Sequence, residues 1–318
     1  MQSGIGGECG KKDILNNQSN KMLSVLEVLR RTEKYFKEQG VNTPRLSAES
    51  LLAEVLSTDR LGLYLSYDRP LLESELAEYR KLVRRRGAHE PLQYILGSCG
   101  FRNLDVVVGP EVLVPRPETE QLVELVESLI EQVAENTNSG SREYLRVLDL
   151  CTGSGVVGLS LAAELEGLWC LLADNSMKAL DWAMKNYRNS LTKLRSPVGF
   201  LMADLCSPLV CRPFFEIVVA NPPYVSPEEM TRLPKEIAEY EPTEALEGGN
   251  PDGTGVIARI VEAVHPLIVQ GGLLALEIGE TQQALIEKLF DSQGAFFRAP
   301  EFHSDLARRT RFVTVFRK

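Results

Sequence analysis

Residues 144–164 read YLRVLDLCTGSGVVGLSLAAE, and this stretch decides the fold. Tyr144 to Leu150 is a short apolar run closed by Asp149, Cys151 to Gly155 is a glycine turn, and Val156 to Glu164 is helical in pattern. Strand, glycine turn and helix, in that order, make a nucleotide-binding unit. Gly153 and Gly155 let the backbone approach a ligand closely and take positive φ, while the helix start presents free N–H groups. The turn departs from the dinucleotide fingerprint, because Cys151 stands where its first glycine would be.

Downstream, three more apolar runs end alike. Leu168 to Ala173 is followed by Asp174 and Asn175, Val198 to Ala203 by Asp204 and Leu205, and Ile217 to Ala220 by Asn221. Asp174 stands about where an acid reaches a ribose in the mononucleotide half of such a sheet. Either acid could instead cap a helix, Asp174 the one beginning after Ser176. Four successive strands nevertheless each deliver a polar side chain at the carboxyl end, where ligands bind in open α/β sheets.

The last run continues as Asn221-Pro222-Pro223-Tyr224. Proline has no N–H and restricts the residue before it, so the strand tip continues neither as ladder nor as helix. It becomes a stiff corner offering an amide, unpaired carbonyls and an aromatic face, which suits a planar NH2 group needing acceptors for both hydrogens. The plainer alternative is a strand-ending turn with Tyr224 as packing.

These residues resemble a family. The turn Asp149 to Gly155, the acidic strand ends and Asn221 to Tyr224 look like a class I S-adenosylmethionine-dependent methyltransferase acting on amino groups. Glu90-Pro91-Leu92-Gln93-Tyr94-Ile95-Leu96-Gly97 and Pro115-Arg116-Pro117-Glu118-Thr119-Glu120 narrow the likeness to the release-factor glutamine methyltransferases, the HemK/PrmC family, from about Leu23 to the end. The resemblance implies a Rossmann-like seven-stranded sheet with an antiparallel last strand, S-adenosylmethionine as donor and S-adenosylhomocysteine as product. It implies, as acceptor, the glutamine amide nitrogen of the Gly-Gly-Gln motif in class I peptide release factors.

Roles carry over by position. Thr152, Gly153, Ser154 and Gly155 match the loop around the donor's methionine and ribose, Asp174 the ribose acid, and Ala203, Asp204 and Leu205 the adenine edge; Asp149, Cys151, which replaces a glycine at the loop entrance, and Asn175 complete the implied donor site. Some relatives have an aromatic where Leu205 stands, so only apolar contact is implied there. Asn221 Oδ1 and the Pro222 carbonyl would each accept one amide N–H, with Pro223 beside them and Tyr224 flanking the amide; Asn221 also borders the donor. An amide nitrogen is a poor nucleophile, so positioning carries most of the catalysis. With the methyl on a sulfonium, no metal or strong base is demanded. Cys151 reads as structural.

Composition agrees with a soluble, reduced setting. The 318 residues are 44% hydrophobic, enough for one large core and a satellite. Six scattered cysteines and only His89, His265 and His303 argue against a zinc site or a disulfide scaffold. A net charge of −9 argues against gripping a phosphate backbone. No stretch suits a membrane span, and a cytoplasmic monomer is expected, with an organelle less favoured.

Periodicity then divides the chain. Residues 1–21 read as a disordered leader and 22–88 as a helical substrate-recognition bundle, with Met22, Leu26, Leu29 and Phe36 on one face, then Leu51, Leu52, Val55 and Leu56, then Leu72, Leu76, Tyr79 and Val83. Residues 89–115 read as a β-hairpin connector from strands at 93–96, 101–108 and 111–114, and 116–318 as the methyltransferase domain. That domain opens with a long helix carrying Leu122 to Val133 and a polar loop over 136–141. It should close with a helix over 255–269, a strand over 272–279, a helix over 281–291 and strands near 295–299 and 311–316.

Lys81, Arg84, Arg85 and Arg86 form a cluster that reads as a surface for an acidic partner or as a solvated helix end. The loop with Glu228, Glu229 and Arg232 is the second candidate grip. Arg116 and Glu118 border the cleft and fit structural pairing equally well. Two competing functions share the residues: a methyltransferase acting on an exocyclic base amine, disfavoured by the acidity, and a nucleotide-binding regulator or nicotinamide oxidoreductase, which leaves Asn221 to Tyr224 without work.

Overall fold

A computed structural model describes residues 22–137, 143–207 and 209–318. The expected leader and most of the 136–141 loop lie outside these. The chain divides after Leu96 into two compact units.

The first unit is helical: α1 (Val25–Gln39), α2 (Pro44–Val55), α3 (Arg60–Leu65), α4 (Glu73–Gly87) and α5 (Leu92–Leu96). Ser24 and Glu27 form a reciprocal capping box that starts α1, and Gly40, at φ +71°, ends it. The cap puts Met22 before the helix and Val25, Val28, Leu29 and Phe36 inside. Met22 and Leu72 are exposed and Leu26 only half-buried, a correction to the expected core faces; Leu72 is the residue before α4. Leu51, Leu52, Leu76, Tyr79 and Val83 are buried as the spacing predicts. Residues 93–96, expected as a strand, form the single helical turn α5. Ile95 N–H bonds the Pro91 carbonyl, and Gly97 at φ +77° stops the turn.

The second unit comprises β1 (Ser98–Phe101), β2 (Leu104–Val107), α6 (Pro117–Asn136), β3 (Leu145–Leu150), α7 (Val156–Glu164), β4 (Leu168–Asp174), α8 (Met177–Ser190), β5 (Val198–Met202), β6 (Phe215–Ala220), α9 (Pro227–Met230), α10 (Lys235–Ala238), α11 (Gly255–Val264), β7 (Ile268–Glu277), α12 (Gln283–Ser292), β8 (Glu301–Ser304) and β9 (Thr310–Phe316). β1 and β2 pair as a hairpin, and the strand expected at 111–114 is absent: Val112 N–H closes a turn on Gly109 O. The other seven strands form one sheet in the order β5-β4-β3-β6-β7-β9-β8, with β9 antiparallel to both neighbours. This is the expected seven-stranded sheet with its reversed last strand. α11 ends at Val264 and β7 starts at Ile268, before a break in register with β6 that contains Gly271 at φ +77°. The penultimate strand lies at 301–304 rather than 295–299, where Phe297 makes one isolated bridge to Arg317.

β6 is buried along its whole length because β3 and β7 flank it. It carries the fully buried Glu216, satisfied by Arg146 through Nη2 at 2.5 Å, Nε at 3.0 Å and the backbone N–H at 2.8 Å.

Candidate functional site

Register sets the site. Leu150 sits level with Ala173 of β4 and with Ala220 of β6, and Asp174 sits level with Met202 of β5. Cys151, Asp174 and Asn221, with Ala203 one residue further along β5, therefore emerge together at the carboxyl end of the sheet. The order reverses at β3 and β6, so this end holds the switch point where a crevice opens. A cleft of about 610 Å³ lies there.

The glycine turn forms one wall. Cys151, Gly153 and Gly155 all adopt the left-handed conformation, at φ +55°, +55° and +86°. A Cβ on Gly153 would meet nothing within 4 Å, leaving its backbone open to a ligand. Asp149 is turned back beneath the turn, its Oδ2 accepting from Thr152 Oγ1 at 2.6 Å and from Gly158 N at 2.9 Å. Burial pushes its carboxyl up to about 7. The Cys151 thiol is pushed up by burial and by the nearby Asp174, which opposes a nucleophilic thiolate.

Asp174 bridges that turn to the next helix. Its Oδ2 accepts from Gly153 N and its Oδ1 from Ser176 N, each at 2.9 Å, while Ser176 itself caps α8. Burial raises its pKa against the pull of the Gly153 N–H. Asp204 and Arg259, both more than half exposed, pair at 2.8 Å and both border the cleft, next to Leu205 at φ +52°.

The Asn221 corner is held from behind. Asn221 Nδ2 donates to Thr119 Oγ1 at 3.1 Å, Thr119 Oγ1 donates to Glu277 Oε2 at 2.8 Å, and Tyr224 Oη donates to Glu277 Oε1 at 3.1 Å. Glu277 ends β7, next to Asn221 by register, since Ala220 pairs with Leu276. Burial raises the Glu277 pKa, and the two hydroxyls oppose this. Among the described residues, no donor reaches Asn221 Oδ1.

Most of the expected residues meet in this cleft. Asp149, Cys151, Thr152, Gly153, Ser154, Asp174, Asn175, Asp204, Leu205, Asn221 and Pro223 border it, whereas Gly155, Pro222 and Tyr224 do not. Gly155 packs instead against Leu159, Leu172 and Ala183. Thr119, Glu277 and Arg259 join the site without a sequence signal that marks them as functional. Thr119 lay inside the quoted 115–120 motif, and Glu277 was legible only as one position in an apolar strand.

The proposed grips are largely engaged within the protein. Arg86 is buried against Ser47 and the Glu90 carbonyl, Arg85 forms a two-pronged pair with Glu90, and Lys81 pairs with Glu78. Arg84 alone of that cluster has no side-chain partner among the described residues. Glu229 closes a capping box with Ser226, and Glu228 pairs with Arg232. Arg116 pairs with Glu241 and Glu118 with Arg309.

Residues 27–97 match the family model described as PrmC N-terminal domain, and residues 127–249 match the methyltransferase small domain. A protein of Rhodopirellula baltica named release factor glutamine methyltransferase is 35% identical over 92% of this chain and 96% of its own length. Similarly named proteins of Thermodesulfovibrio yellowstonii and Leptospira interrogans are 37% identical over 82% of this chain and 88% of their own, and 33% over 92% and 98%.

Proposed function

The chain belongs to the release factor glutamine methyltransferases, and we propose that Asn221 and the Pro222 carbonyl hold the target glutamine amide of a class I release factor for methylation by S-adenosylmethionine. The observation that carries this is Asn221 at the carboxyl end of the sheet, its Nδ2 engaged on Thr119 and its Oδ1 open beside the glycine turn. An incoming carboxamide NH2 has two hydrogens to place, and Asn221 Oδ1 and Pro222 O are two acceptors in one corner. Their acceptance fixes the amide plane and favours positive charge as it grows on nitrogen. A group lacking both hydrogens is rejected because the acceptors would be left unpaired.

The cleft volume, the open backbone at Gly153 and the carboxylate of Asp174 suit the donor. Thr152, Gly153 and Ser154 would face its methionine part, Asp174 and Asn175 its ribose, and Asp204 and Leu205 its adenine. Asp149 and Gly155 would hold the loop in shape rather than touch the ligand. Bound S-adenosylmethionine supplies a methyl group on a sulfonium, whose C–S electrons return to sulfur as the N–C bond forms, leaving S-adenosylhomocysteine. The nitrogen then sheds a proton to water, so no strong base is required of these residues.

We assign gripping of the release factor to the helical bundle over 22–88, with residues 89–115 as connector and 116–318 as catalytic domain; Tyr224, set back from the cleft on Glu277, would brace the corner. The excess of acids supports a protein acceptor over nucleic acid. Among the described residues no helix is long and apolar enough to cross a membrane, and a cytoplasmic monomer fits this reading. The test is to incubate the protein with radiolabelled S-adenosylmethionine and purified release factor, the factor with its target Gln replaced, or nucleic acid. Label should enter only the intact factor; label on nucleic acid alone overturns the assignment.

A further inference from the structure

We infer that Thr119, backed by Glu277, is a positioning residue that fixes which end of the Asn221 amide faces the substrate, and so makes the corner selective for an NH2 donor. This rests on the proposed function and names the device behind its specificity.

An asparagine amide has an acceptor end and a donor end of nearly the same shape, and rotation by a half turn exchanges them. With Oδ1 outward the site accepts from an NH2 group; with Nδ2 outward it would instead welcome a carbonyl or carboxylate oxygen. Nothing within Asn221 decides between these. Thr119 does, because its single hydroxyl hydrogen is directed to Glu277 Oε2 at 2.8 Å. Its oxygen can then only accept, and it accepts from Asn221 Nδ2 at 3.1 Å. Glu277 is 1% exposed and its other oxygen accepts from Tyr224 Oη, so one buried carboxyl takes both hydroxyl hydrogens and leaves the Thr119 oxygen to accept. Thr119 stands in the first turn of α6, 102 residues before Asn221, and is itself buried. A hydroxyl serving only to satisfy Glu277 would not need to touch Asn221 as well.

The test compares Thr119→Val, which keeps the shape and removes the hydroxyl, with Thr119→Ser, which restores it. Release factor methylation by Thr119→Val should fall about 10- to 100-fold in kcat, with Kd for S-adenosylmethionine within about 2-fold. A release factor carrying Glu at the target position should inhibit this variant several-fold better, relative to the Gln form, than it inhibits the parent. Thr119→Ser should stay within about 3-fold of the parent in all three. Independently of turnover, the Asn221 Nδ2 hydrogens, followed by nitrogen-15 NMR in the full-length protein, should lose exchange protection in Thr119→Val and keep it in Thr119→Ser. Unchanged protection, or a Thr119→Val variant with parental kcat and parental Gln-over-Glu preference, overturns the inference. A parent that fails to label the release factor overturns the acceptor assignment instead, and the NMR comparison still decides the role of Thr119.

Discussion

Arg116 Nη2 lies 2.8 Å from each carboxylate oxygen of the buried Glu241, tying the residue before α6 to the segment that follows the Asn221 corner. Pro242, Glu244 and Ala245 border the cleft just beyond Glu241, so the pair holds one rim of the site in place. Removing Arg116 would strand a carboxylate that burial already disfavours in its charged form. We expect Arg116→Ala to cost roughly 2–3 kcal/mol, discounted because the guanidinium is partly exposed, and to lower Tm by about 5–10 °C. KM for the release factor should rise with it. Thermal melts of the variant that overlay those of the parent would show that the pair contributes nothing.

Asn221→Ala deletes the proposed acceptor while leaving the glycine turn and Asp174 untouched. The loss should fall on kcat, by about 100- to 1,000-fold, with Kd for S-adenosylmethionine within a few-fold. Calorimetric titration of the donor alongside single-turnover methylation separates the two quantities. A variant that keeps most of its kcat would remove Asn221 from the catalytic role.

Asp149 should make stability depend on pH in an uncommon direction. Its carboxyl is raised to about 7 by burial, against about 3.9 in an unfolded chain. Between those values the folded protein binds more protons, so this group's contribution is full below about pH 4 and is lost as pH rises through about 7. Asp149→Asn keeps an oxygen for Thr152 and Gly158 and carries no charge. Its stability relative to the parent should therefore grow between about pH 5 and about pH 8, on the order of a few kcal/mol. Urea midpoints that shift in parallel for the two proteins would show that Asp149 does not titrate in this range.

Much of the sheet was legible because its strands are buried on both faces and appear as uninterrupted apolar runs, each closed by a polar residue. Leu150, Ala173 and Ala220 mark those run ends and also share one register line. β8 was misplaced because Glu301-Phe302-His303-Ser304 is a half-exposed edge strand without such a run. α5 patterns like a strand because five residues are too few to display a helical period. Within the site, the residues proposed to meet a ligand stand at strand ends, whereas those proposed to orient them carry no such mark. Thr119 looks like any first-turn helix residue, and its bonds to Asn221 and Glu277 become visible only when β7 lies beside β6.

Two left-handed positions in the glycine turn should respond oppositely to substitution. Cys151 occupies φ +55° with a side chain, a conformation that costs an L-residue about 1–2 kcal/mol. Cys151→Gly removes that strain and also the thiol's packing against the core, so stability should move by no more than about 1 kcal/mol. Methylation should persist, since burial holds Cys151 as the unreactive thiol. Gly155 has no such latitude: at φ +86°, a new Cβ would sit 3.0 Å from Leu159 Cδ1 and 3.1 Å from Ala183 Cβ. The leucine tip can swing aside, but Ala183 Cβ moves only with the backbone of α8. Gly155→Ala should thus cost about 2–3 kcal/mol, combining strain with crowding, and shift the start of α7 against the turn. Because Gly153 belongs to that turn, affinity for S-adenosylmethionine should weaken in Gly155→Ala and hold in Cys151→Gly. Calorimetry on both variants checks this, and a Cys151→Gly protein that folds, binds the donor and yet cannot methylate would return the thiol to the mechanism.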